Sequence, residues 1–252
     1  MKKLLLITLV ASTLVFTSCF KDDDTPIIIE ETTIIVNDPG NGGDDCPIIT
    51  VTGAIAASTT WTADNIYQLN QKVVVSEGVT LTINPGTIIK GSPGTGSLAS
   101  ALIVARGATI NAQGTADQPI IFTSTSDDIS CGESSGTNLD ENDRGLWGGL
   151  IVLGNAPCSF SGDISEAQIE GIPADDTFGL YGGTDATDSS GVLQYISIRH
   201  GGTLIGEGNE INGLTLGGVG NGTVINNIEV FANVDDGIEF FGGTVDATNF
   251  LV

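Results

Sequence analysis

From about residue 48 onward the chain alternates short apolar runs with glycine corners, and the runs have strand length and strand composition. Thr80-Leu81-Thr82-Ile83 and Ala101-Leu102-Ile103-Val104 are two such runs, followed by corners at Gly86 and Gly107. Leu81 recurs as Leu102, Gly86 as Gly107 and Ile89 as Ile110, which predicts a unit of about twenty-one residues. A unit that small cannot enclose a core. It must bury its apolar face against the next copy, so the pattern predicts stacked β coils, an all-β solenoid. Farther on, Leu193, Ile196 and Ile198 match Ile225, Ile228 and Val230 at a spacing of thirty-two. Asn227-Ile228-Glu229-Val230 matches Asn249-Phe250-Leu251-Val252 at twenty-two, predicting Asn227 stacked over Asn249 at a corner. Two acidic excursions, 127–144 and 161–190, break the pattern and read as loops inserted between coils. Trp61 is expected to cap the open first coil, since an unpaired terminal coil needs apolar cover.

The first residues read differently. Lys2-Lys3 precede an apolar stretch from Leu4 to Phe16, a charged n-region and a short h-region. Phe16-Thr17-Ser18-Cys19 resembles a bacterial lipobox, which implies cleavage before Cys19 and makes Cys19 the lipid anchor. Lys21-Asp22-Asp23-Asp24 resembles the acidic surface-export tag of Bacteroidota lipoproteins, which implies an outer-membrane protein facing the cell exterior. The resulting division is a signal peptide over 1–18, a lipid-anchored linker over 19–47 and a β-helix over 48–252. Because Phe250-Leu251-Val252 falls inside a strand, the β-helix is expected to continue beyond it. The linker, fully extended, reaches about 95 Å. Within it, Ile27-Ile28-Ile29 and Ile34-Ile35-Val36 either pair as a hairpin or dock on the first coil, and the residues leave both open.

Four strings carry a family resemblance: Trp61-Thr62-Ala63-Asp64-Asn65, the turn from Leu81 to Thr87, Gly145-Leu146-Trp147-Gly148-Gly149, and Ile198-Arg199-His200-Gly201-Gly202. Together they resemble the right-handed parallel β-helix lipoproteins of Bacteroidota, pectin-lyase-like in fold, over about 48–252. The resemblance implies a fold. It implies little about activity, because the fold hosts many functions.

Composition narrows the partners. Lys and Arg total 8 against 31 Asp and Glu, a net charge of −23, so nucleic acid would be repelled. Glycine, at 35 residues, fits many tight corners. Gly132-Glu133-Ser134-Ser135-Gly136 matches the nucleophile-elbow string without the helix that an elbow needs. Asp140 to Gly145 and Gly217 to Gly222 start like calcium loops, but Arg144 and Gly222 stand where liganding oxygens belong, so both read as turns. The acidic loops are where calcium would bind nonspecifically, and no other cofactor is expected; one histidine and no paired cysteine motif argue against zinc. With Cys19 lipidated, Cys46, Cys131 and Cys158 remain. Cys131 and Cys158 flank the Trp147 strand and are expected to form a disulfide, leaving Cys46 without a partner. A ligand groove is expected where Arg199 and His200 meet Asp235 and Asp236, because the spacing of thirty-two lays the corner after one strand over the corner after the next. The functional expectation is a lipid-anchored display or binding module whose partners are the outer membrane and a glycan or another surface protein. The alternative is a glycan lyase or hydrolase on the same fold.

Overall fold

The computed structural model describes residues 33–37, 46–162, 164–172, 176–206 and 209–252. The expected signal peptide and Cys19 lie outside these residues. Strands from every coil stack in parallel register into a three-faced β-helix. Face A comprises 53–55, 73–75, Ala101–Val104, Leu150–Leu153, Leu214–Gly217 and Ile238–Phe241, joined in that order. Face B stacks Thr59–Trp61, Thr80–Ile83, Thr109–Gln113, 191–194, 224–226 and 247–248. Face C stacks 48–51, 66–69, Ile88–Gly91, Ile120–Ser124, 196–199, 228–231 and 250–251.

Residue pattern decides which face is which. Thr80–Ile83 alternates half-buried threonines with buried Leu81 and Ile83, the signature of a sheet solvated on one side. Ala101–Val104 and Leu150–Leu153 are buried at every position, as continuous apolar strands must be when both sides are covered. Leu102, Val104, Leu150 and Val152 join the central core, while Ala101, Ile103, Ile151 and Leu153 point outward. The second excursion lays Ile169, Ile172 and Tyr181 over those outward side chains. Arg106 holds it down, donating to Glu166 Oε2 at 2.6 Å and to the Gly182 carbonyl at 2.8 Å.

Two expectations need correction. The twenty-one-residue register is not the stacking register: Leu81 lies on Ile110 and Leu102 lies on Val73, an offset of twenty-nine residues in each case. The Thr80–Ile83 and Ala101–Val104 runs are therefore on different faces, and Gly78, not Gly86, meets Gly107, through a 2.9 Å hydrogen bond. The spacings of thirty-two and twenty-two do hold, with Leu193 on Ile225, Ile198 on Val230 and Ile228 on Phe250. Asn227 and Asn249 turn that corner with φ of 55° and 60°, a left-handed conformation that asparagine tolerates better than most residues.

The disulfide is Cys46–Cys131, not Cys131–Cys158. The reason is topological: Cys131 lies in the excursion that crosses face C, whereas Cys158 packs over face A with its Sγ 3.4 Å from the Phe241 carbonyl. Cys158 is a free thiol, and burial pushes its pKa up. Upstream of Cys46, strand Thr33–Asn37 pairs antiparallel with Ile48–Ile55, so part of the expected linker adds to the first coil.

Candidate functional site

The outward side of face C carries two rows. Ile66, Ile88 and Ile121 form an apolar row, and Gln68, Lys90, Thr123 and Arg199 form a polar one, in register from strand to strand. Residues 125–149 cross both rows as a strap. Ile129 packs among the three isoleucines, and the Cys46–Cys131 bridge secures the strap near the first coil.

Basic groups of the polar row grip the strap by its main chain. Lys90 Nζ donates to the Asp127 carbonyl at 2.7 Å, and Arg199 Nη1 donates to the Ser134 carbonyl at 2.9 Å. His200 Nδ1 donates to the Asp143 carbonyl at 2.6 Å. The Lys90 ammonium is buried, and burial pulls its pKa down against the opposing charges of Asp127, Asp128 and Glu133. The Asp127 carboxylate is likewise taken up, accepting from Thr123 Oγ1 at 2.8 Å and the Ile129 amide at 3.0 Å. Farther along the strap, Trp147 is wholly buried and its indole donates to the Arg199 carbonyl at 2.7 Å.

Between the strap and the later coils lies a pocket of about 210 Å3, bordered by Ser135, Arg199, His200, Glu229 and Phe231. Its geometry follows from the register: Ser197 pairs with Glu229 and Arg199 with Phe231, so all four side chains leave the same side of the sheet. Ser197 Oγ donates to Glu229 Oε2 at 2.5 Å and accepts from Arg199 Nε at 2.8 Å. Arg199 Nη2 stands 3.8 Å from the same carboxylate oxygen. His200 is 3% exposed, turns a corner at φ 60°, and meets the Phe231 ring edge-on at 5.6 Å between centroids. A carbonyl can only accept, so Nδ1 carries the hydrogen. Nε2 makes no hydrogen bond among the described residues.

The expected groove is thus brought together in part. Arg199 and His200 share the pocket, and the corner after His200 does stack on the next, through a 3.2 Å bond from the Val234 amide to the Gly201 carbonyl. Asp235 and Asp236 are exposed beyond that corner; their carbonyls accept from Asn233, and among the described residues their carboxylates make no ion pair with His200 or Arg199. Glu229 is the acid the sequence reading missed. The same offset of thirty-two that places Ile198 on Val230 places Ser197 on Glu229, and the period of two then points Glu229 outward beside Arg199.

The acidic strings act as turns. Asp140 Oδ1 accepts from the Asn142 amide, and Asp185 Oδ1 from the Thr187 amide and hydroxyl. Among the described residues no three His, Cys, Asp or Glu side chains converge as a metal site. A family model described as a pectate-lyase like beta helix domain matches residues 53–252. No curated protein and no solved structure matches the chain.

Proposed function

Because the chain belongs to the pectate-lyase-like β-helix domain family, we propose that it works as a binding module displayed on the cell surface, anchored in the outer membrane through a lipid on Cys19. One observation carries the reading: Lys90, Arg199 and His200, the groups best suited to chemistry, each donate to a main-chain carbonyl of the same strap. Groups so engaged hold a pocket in shape, and a preformed pocket binds without an ordering cost. What faces a ligand is the Glu229 carboxylate, the Arg199 guanidinium and the exposed Phe231 ring, with His200 bordering them. That set of acceptors, one donor and an aromatic surface suits a hydroxyl-bearing unit, such as the end of a glycan chain. Nucleic acid is disfavoured by the charge of −23.

The test is a glycan array probed with the wild type and with Glu229→Gln and Phe231→Ala, beside an assay for reducing ends and unsaturated sugars. Binding that falls about tenfold in each variant, the worth of roughly one lost charged hydrogen bond or ring contact, supports the module. Released product would overturn it in favour of a polysaccharide-active enzyme. In the same cells, Cys19→Ala is expected to leave the outer-membrane fraction.

A further inference from the structure

At the first coil the β-helix opens into an apolar cleft of about 450 Å3, bounded by Ile49, Val51, Ile55, Trp61 and Tyr67. Trp61 and Tyr67 stack with ring centroids 4.6 Å apart, and Ala56, Ala57 and Ser58 form an exposed rim. Trp61 points into the helix and is itself buried, so it lines the opening and does not cover it. An apolar coil end facing water costs stability unless something lies over it.

The chain itself brings a candidate to this place. In the antiparallel pairing of Thr33–Asn37 with Ile48–Ile55, Thr33 lies opposite Thr52 and Asn37 opposite Ile48. The strand therefore runs back toward residue 53 as it is followed upstream, and residues 54–58 of that continuation are the rim of the cleft. Ile27, Ile28 and Ile29 stand four to six residues before Thr33, within about 20 Å of extended chain. They are three consecutive large apolar residues between Lys21-Asp22-Asp23-Asp24 and Glu30-Glu31, a composition that a plain acidic tether has no reason to carry. We propose that Ile27, Ile28 and Ile29 fill the cleft and cap the β-helix at its first coil. The cap needs no ligand in the Arg199–His200 pocket and stands apart from the binding-module reading.

Hydrogen exchange in the full chain tests it, read at the amides of 53–61 with acrylamide quenching of Trp61 as a second signal. Replacing Ile27, Ile28 and Ile29 together by Asn is expected to speed exchange at 53–61 about tenfold and to raise the quenching, while amides of Leu150–Leu153 keep their protection. Replacing the three by Val keeps the apolar surface and is expected to behave as the wild type. Should the Asn variant fail to fold, the single change Ile28→Asn is read the same way. Unchanged exchange at 53–61 would overturn the cap, and so would protection that rises with protein concentration in wild type and variant alike, because a second copy would then be the cover.

Discussion

Asp128 and Asp185 show what most of the negative charge does at the scale of single residues. Each carboxylate accepts from the hydroxyl and the amide of a nearby threonine, Thr137 for Asp128 and Thr187 for Asp185, and those bonds hold its pKa below the ordinary carboxylate value. A carboxyl with a folded pKa below its unfolded one stabilises the turn at any pH above the unfolded value, near 3.9. The contribution is lost as pH falls through the lower, folded value. Amide exchange at Thr137 is therefore expected to quicken in that acid window, ahead of the coils, and Asp128→Asn is expected to flatten the response. The role of turns was legible in the sequence, since Asp and Asn among Gly and Ser mark turns by a known mechanism. The role of Asp127 was not, because only the folded chain brings Thr123 and Lys90 against it.

Among elements, register was the hard quantity. Leu81 and Leu102 sit in similar apolar strings, and matching them gave a regular repeat that the structure does not use. The distinguishing sign was present: Thr80–Ile83 alternates and Ala101–Val104 does not, so one run is half-solvated and the other covered on both sides. Later coils were read in correct register because Ile196, Ile198, Ile228 and Val230 repeat across whole strands, a match that survives the Leu204–Gly206 and Asn209–Glu210 hairpin inserted in that coil. Glu229 follows from that register alone, whereas the strap carbonyls that hold Lys90, Arg199 and His200 have no sequence signature. The strap also depends on close packing where it returns. A Cβ placed on Gly91 would come within 2.6 Å of the Trp147 ring and 2.7 Å of Ser100 Oγ. Gly91→Ala is accordingly expected to cost about 1–3 kcal/mol, as overpacked cores do, with Trp147 fluorescence shifting to the red as the strap loosens. Denaturant melts followed by that fluorescence would check it.

In the whole molecule, the faces differ in what covers them: face A by the second excursion, face C by the strap, and face B by alternation that lets its outward threonines and amides meet water. The Cys46–Cys131 bridge ties this arrangement to the point where the chain enters the β-helix, and it has a mechanical consequence. A pull on the N-terminal end would otherwise peel the first coil away strand by strand, the easiest way to unravel a stack held by lateral hydrogen bonds. With the bridge closed, the load passes from Cys46 to the strap in the fourth coil, and the chain between the two cysteines, which stand 85 positions apart, is shielded from tension. Stretched between its ends, one molecule should unravel with a contour length shorter by about 300 Å than the same molecule after reduction, at about 3.6 Å per shielded residue. Equal lengths before and after reduction would show that force takes another route. The first three coils are thus placed out of reach of the pull.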